Sequence, residues 1–140
     1  HQTPSGRIVA FMRRWSDALM LSKCHSDDGG LSWSEPIPVC PGYPACAIDL
    51  PSGKVLLVYG YRFDDGYGTR ARCLDTECDQ VDEGELLLRA DGGVADLGYP
   101  DAAKLPDGRI GVVYYHNRAH QAETPAHCPR YIELCIVEEA

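Results

Sequence analysis

Ser26 to Trp33 reads SDDGGLSW, which gathers acids, hydroxyls, glycines and a tryptophan into one short stretch. Carboxylates beside hydroxyls are the raw material of acid–base chemistry. They also build turns. Gly29 and Gly30 take positive φ without steric cost. Asp28 can fold its carboxylate onto amides of its own loop, with Ser26 and Ser32 adding weaker bonds. Trp33 then starts the next strand and carries a large apolar ring to a neighbouring surface. The turn is the preferred reading, with the acids spent on the loop's own amides. Emptying a buried Trp33 site should then cost roughly 3 kcal/mol or more.

The cysteines and histidines offer other chemistry. Seven cysteines, at 24, 40, 46, 73, 78, 128 and 135, cannot all pair internally. Cys40 and Cys46, and Cys73 and Cys78, are close enough in sequence to be bridged. Neither pair has the CxxC spacing of a zinc or redox site. Buried free thiols are the preferred reading. His116, His120, His127 and Cys128 make a metal cluster on paper, but their Ala-, Pro- and polar-rich segment reads as a loop. No metal and no cofactor is expected.

The elements that must position such residues follow from size and pattern. A chain of 140 residues with 44% hydrophobic content makes one compact domain at most. A formal net charge of −8 argues against a nucleic-acid partner, which would want a basic patch. The acids are scattered, as on a solvated surface. No apolar run approaches the roughly 18 residues of a membrane span. No leader is visible, yet the chain begins at His1 rather than Met, and the expectation is a piece of a longer protein.

The chain repeats itself. PSGRIVAFMR begins at Pro4, PSGKVLLVYGYR at Pro51 and PDGRIGVVYYHNR at Pro106. Each is a Pro-(Ser/Asp)-Gly turn, then an apolar run ending in aromatics or arginine. A period near 50 residues suits four-stranded propeller blades. The units run about 1–40, 41–91 and 92–140. Strands are expected at 6–13, 18–25 and 34–39, then at 54–61, 67–75 and 84–90, then at 109–116 and from Arg130. The strands that follow the Pro-x-Gly turns are taken as the inner ones. Turn signals are frequent and no helical period is sustained. The fold class is all-β, with about three antiparallel blades. In the second unit the matching loop, Cys73–Val81, has lost the pattern at Leu74, Thr76, Cys78 and Val81, as a structural element can and a shared active site cannot.

These residues resemble the sialidase (neuraminidase) superfamily. Ser26, Asp28, Gly30, Ser32 and Trp33 match its Asp-box, or BNR repeat. DLGYPDAAKLPDGRIGVVYY, from Asp96, is similar to the segment that carries the sialidase nucleophile, and YGYR, Tyr59–Arg62, adds to the likeness. The resemblance implies a six-bladed propeller, of which this chain supplies about half. Its partner would be the missing half or a homodimer mate. Its ligand would be a glycan or acidic sugar, and the lean is to a secreted or periplasmic protein.

It also implies a site. Sialidases use a tyrosine nucleophile activated by glutamate, an aspartate acid/base and arginines gripping the sugar's carboxylate. A neutral tyrosine approaches the anomeric centre without like-charge repulsion, and its pKa near 10 calls for a base. Guanidinium forks fit a planar carboxylate. By this match Tyr99 is the nucleophile and Asp101 is its catalytic neighbour. Arg62, Arg70, Asp96 and Tyr115 bind substrate. The chain departs from the pattern in two places. No acid stands in GYPAC, Gly42–Cys46, where the activating glutamate belongs, and Tyr115 replaces a glutamate that would hold an arginine. Arg13 and Arg14 lie on the wrong blade for the missing arginine. The alternative is a non-catalytic propeller that binds glycan or protein, or a fragment inactive without its other half.

Overall fold

The three Pro-x-Gly turns close in the same way. In a computed structural model of the protein, which describes residues 1–14, 19–118 and 128–139, Gly6, Gly53 and Gly108 have φ near +90° (90°, 88° and 89°). Their amides donate to Thr3, Leu50 and Leu105 carbonyls at 2.9, 3.0 and 3.0 Å. The amides of those same residues donate to Arg7, Lys54 and Arg109 carbonyls at 2.9, 2.8 and 2.8 Å. A side chain at the glycine would be strained there, so the repeat keeps it. Each turn is therefore a hairpin, with a strand on both sides.

Ten strands result. β1 (Ile8–Arg13), β2 (Met20–Ser26) and β3 (Ile37–Pro41) form the first sheet. β4 (Ala45–Asp49), β5 (Val55–Tyr61), β6 (Gly68–Leu74) and β7 (Leu86–Arg89) form the second, and β8 (Gly98–Lys104), β9 (Ile110–Asn117) and β10 (Arg130–Val137) the third. All pairings are antiparallel between chain neighbours. These are three blades of a β-propeller. β4 and β8 were not expected. They lie at the edge where the sheets converge, β4 beside β8, so the strands after the turns are the second of each blade and not the innermost. In the first blade residues 1–3 take the inner place, through the Gln2–Ile8 bridge.

β5 explains the packing. Its side chains alternate between two cores. Val55, Leu57 and Tyr59 meet Val9, Leu21 and Cys40 of the first blade; Leu56 and Val58 meet Ile110, Val112 and Tyr114 of the third. The far face of the third blade has no such neighbour, and Ile132 and Leu134 are 74% and 64% exposed there.

The blades are also clamped at the end that carries the Pro-x-Gly turns. Ser5 donates from its amide (3.3 Å) and hydroxyl (2.6 Å) to Glu77 of the second blade. Ser52 does the same to Glu139, which follows the third, with its amide at 2.9 Å and its hydroxyl also bonded. Lys23 donates to the carbonyls of Cys78 and Asp79. The degenerate loop thus docks on the first blade, and its Leu74 and Cys78 are core residues.

Ser26–Trp33 lies at this end and is a self-bonded turn. Asp28 Oδ1 accepts the amides of Leu31 (3.0 Å) and Ser32 (2.9 Å) and the Ser26 hydroxyl (2.8 Å); Oδ2 accepts the Ser32 hydroxyl at 2.6 Å. These bonds, the Ser32 hydroxyl first, hold the Asp28 carboxyl far below the usual range. Trp33 departs from expectation. It is 45% exposed, its indole donates to Gly30 O at 3.1 Å, and β3 begins only at Ile37. The ring covers its own loop and does not anchor a neighbour.

The seven cysteines are free thiols, four of them buried. His116 is buried and faces Asp91 at 3.1 Å, while His120 and His127 lie outside the described residues. Among the described residues no group of three or more metal-ligating side chains occurs, and no helix is long and apolar enough to cross a membrane.

Candidate functional site

β1, β5 and β9 end where β4, β8 and β10 begin, at the mouth opposite the Pro-x-Gly turns. Arg13, Tyr43, Arg62, Tyr99, Tyr115 and Arg130 all sit at that end.

Tyr99 owes its position to a bulge. Gly98 pairs with Tyr115 and Asp101 with Val113, so two residues of β8 stand against one of β9. Gly98 has φ 97° and Tyr99 φ 50°, a left-handed conformation uncommon outside glycine. The bulge turns the Tyr99 ring outward, 59% exposed and stacked on Tyr115 with centroids 5.7 Å apart at 23°. Gly98 also lets β8 approach β5. A Cβ there would lie 2.9 Å from Gly60 Cα, and one on Gly60 would lie 2.9 Å from Tyr43 O.

That close approach brings Arg62 to the third blade. Its Nη2 donates to Leu97 O at 2.7 Å, and its guanidinium lies 5.0 Å from the Tyr99 ring and 5.3 Å from the Tyr43 ring. Nε is buried without a partner, and Nη1 makes no bond to a described residue. Arg13 was set aside on blade position, yet its guanidinium lies 4.8 Å from the same Tyr43 ring. Tyr43 is held by backbone bonds: its amide donates to Gly60 O at 2.8 Å, and Gly60 N donates to Pro44 O at 3.1 Å.

Asp96 buttresses the cluster. Its Oδ1 accepts the Tyr115 hydroxyl at 2.5 Å, and its Oδ2 accepts Arg130 Nη2 (2.8 Å) and Nε (3.1 Å). The Tyr115 bond and then Arg130 draw the Asp96 carboxyl down, while burial and then Asp96 push the Tyr115 phenol up to about 12. Tyr115 is therefore a fixed neutral donor. The carboxylate that holds an arginine here is Asp96, from a loop. Asn117 fixes that loop, accepting from the amides of Gly93 (2.7 Å) and Val94 (3.0 Å) and donating to the carbonyls of Val94 (3.2 Å) and Asp96 (2.8 Å).

Two expected residues stand apart. Arg70 pairs with Glu85 at 2.7 Å and lies 3.3 Å over the Tyr61 ring, beside Tyr59 on the first-blade face of the second blade. Asp101 accepts the amide of Ala102 (2.9 Å) and the Cys46 thiol (3.7 Å), further along β8. Among the described residues no side chain hydrogen-bonds the Tyr99 hydroxyl. Tyr43, Arg13, Arg130 and Asn117 were not among the expected site residues. The only sequence trace of them was a Tyr-Pro pair and a polar residue closing an apolar strand.

No family model and no curated protein matches the chain. Among solved structures, a protein of unknown function from Dyadobacter fermentans is 36% identical over 97% of this chain, with a TM-score of 0.84. The GH93 α-L-arabinofuranosidase of Fusarium graminearum, solved with arabinobiose, is 18% identical over 92% of the chain, with a TM-score of 0.60. The chain spans 36% and 41% of the length of these two proteins. The second likeness establishes the propeller fold alone, and its bearer is an arabinofuranosidase, not a sialidase.

Proposed function

We propose that the chain is part of a carbohydrate-recognising propeller whose sugar site is the mouth cluster around Arg62 and Tyr99. Its ligand is an acidic sugar, terminal sialic acid or a relative. The observation that carries this is Arg62 itself. Its guanidinium is steadied by two rings and the Leu97 carbonyl, with Nη1 left for an outside acceptor. A planar carboxylate is the acceptor that suits it. The exposed Tyr99 ring offers a flat apolar surface beside it for a sugar's C–H face. A structural neighbour that is a glycoside hydrolase on a propeller supports a carbohydrate role.

Recognition is better supported than hydrolysis for these residues. A tyrosine nucleophile needs a base within hydrogen-bond reach, and both Asp96 oxygens are committed to Tyr115 and Arg130. Hydrolysis would need an acid and a base from outside the described residues.

The test is calorimetric titration of the purified protein with N-acetylneuraminic acid, glucuronic acid, glucose and arabinose. The acidic sugars should bind at least tenfold more tightly than the neutral ones, and Arg62→Ala should remove that preference. Tyr99→Phe should keep binding, because the ring is the platform, and Tyr99→Ala should lose it. Equal binding of neutral and acidic sugars, or an unaffected Arg62→Ala, overturns the proposal.

A further inference from the structure

β10 is the outer strand of the third blade, and its far edge is open. The sheet runs β10–β9–β8, and among the described residues no backbone bond reaches the far side of β10. An open edge offers a row of unpaired N–H and C=O groups, which folds usually blunt with short strands, prolines, bulges or charges. The other two outer strands are blunted in this way. β3 carries Pro38 and Pro41 and pairs across a register shift in β2, and β7 is four residues long beside a register shift in β6. β10 has eight residues, no proline and an unbroken register on β9. Its Ile132, Leu134 and Ile136 stand in a row on one face, 74%, 64% and 39% exposed.

We infer that β10 pairs antiparallel with β10 of a second copy, about a two-fold axis at Leu134, and that the two third-blade sheets become one continuous sheet. The residues of the strand select that register. With Leu134 opposite itself, Ile132 faces Ile136, Glu133 faces Cys135, and Arg130 faces Glu138 just beyond the strand. Apolar residues meet apolar ones, and the charges that meet have opposite sign. A two-fold at Glu133 would set two carboxylates against each other, and one at Cys135 would set Ile132 against Glu138.

Backbone bonds and the apolar pairs supply the binding. Arg130 already holds Asp96 at 2.8 Å, and Glu138 lies 3.5 Å from Arg109, so the ends of the pairing need no new ion pair. One pair of strand edges is small beside the roughly 1,200–2,000 Å² of a standard interface, so the dimer is weak and forms with rising concentration. It joins blade edges, whereas closing a ring would stack blade faces.

The experiment is light scattering on the purified protein over a concentration series, combined with cysteine trapping. The mass should rise from one chain toward two. Leu134→Lys sets two ammonium groups against each other at the axis and should weaken dimerisation about tenfold or more. On a Cys135→Ser background, Leu134→Cys should give a disulfide-linked dimer under mild oxidation. Residues opposite each other in an antiparallel pair have Cα atoms about 4.5–5.5 Å apart, within the span of a disulfide. Ile132→Cys alone should not link, but a mixture of Ile132→Cys and Ile136→Cys should. A monomer at every concentration overturns the inference. So does a dimer that Leu134→Cys fails to trap, or one that Ile132→Cys alone traps as readily, because either places the contact on another face.

Discussion

Gly60 and Gly98 are where the mouth is held together, and alanine at either position puts a number on it. The Cβ of Gly98→Ala would lie 2.9 Å from Gly60 Cα, against an optimum of about 3.5–4.0 Å for carbon pairs. Opening that gap is an overpacking cost of about 1–3 kcal/mol. At φ 97° the alanine is also strained, by about 1–2 kcal/mol for a left-handed L-residue. The lower entropy of the unfolded alanine chain returns about 0.4–1 kcal/mol. The net loss for Gly98→Ala is about 1–4.5 kcal/mol. Gly60→Ala meets Tyr43 O at 2.9 Å without a positive φ, so its loss is at most about 2.5 kcal/mol. The Gly60 side chain presses first on Tyr43 O and only then on Gly98 Cα at 3.4 Å, so the two share the β5–β8 gap in part, and the double variant should lose somewhat less than the sum. Urea denaturation with unchanged slopes reads all three values. Gly98→Ala within about 0.5 kcal/mol of the parent, the ordinary range for a bland surface site, would refute the tight β5–β8 contact and with it the placement of Arg62 against Tyr99.

Trp33→Ala should cost about 1–2 kcal/mol, below the usual range for a buried aromatic, because the ring is 45% exposed and covers only its own loop; a loss above about 3 kcal/mol in chemical denaturation would restore the anchor reading. Asn117→Ala strips two amides and two carbonyls of their partners and should destabilise by about 2–4 kcal/mol while weakening acidic-sugar binding, whereas Asn117→Asp should rescue only the amide side; unchanged stability would contradict the loop-fixing role. His116 has its pKa lowered by burial, which outweighs the nearby Asp91. The unfolded chain therefore takes up its proton first, so stability is full above about pH 6.5 and falls as pH drops through that value toward the folded pKa. Denaturation midpoints across pH 7.5 to about 5 should show that decline, and His116→Gln should flatten it.

The strands that follow the Pro-x-Gly turns were legible because VLLVYGY and IGVVYYHN combine β-branched and aromatic residues with a turn signal. ACAID and GYPDAAK were not, since alanine, aspartate and proline carry little strand signal. A hairpin argument would have found both, because a two-sided turn needs a strand before it as well as after. The Ser26–Trp33 loop was legible as a turn in which Asp28 bonds amides of its own loop, but not the hydroxyl bonds of Ser26 and Ser32 to its carboxylate. The exposure of Trp33 was not, because it depends on where the next strand begins. At the mouth, Arg62 and Tyr99 were picked out by resemblance, and the structure brings them together. Arg70 came with them on the same grounds, but β-strand parity sends it to the other face of its sheet, where Glu85 holds it. Arg13 was weighed and set aside on blade position, and Tyr43 left only a Tyr-Pro pair, because their meeting with Arg62 is made by blade packing and not by local spacing.

The two ends of each blade thus divide the chain's polar residues by what they bond. At the turn end, carboxylates are consumed inside the fold: Glu77 and Glu139 by serines of the preceding blade, Asp28 by its own loop, Asp79 and Asp27 by Arg7. Such bonds set the order and register of the blades and leave little for a ligand. At the mouth, Asp96 steadies Tyr115 and Arg130, Asp91 holds Arg89 and His116, and Asp65 accepts the Tyr61 hydroxyl. The same strands that are locked at one end deliver, at the other, the exposed Tyr99 ring and the Arg62 guanidinium, whose Nη1 bonds no described residue. On the proposed function, a carboxylate-bearing ligand would meet Arg62 there without displacing its bond to the Leu97 carbonyl. The proposed sugar site therefore puts recognition in the residues at the end of β5 and the start of β8, and not in the acid-rich loop that looks most like a catalytic motif.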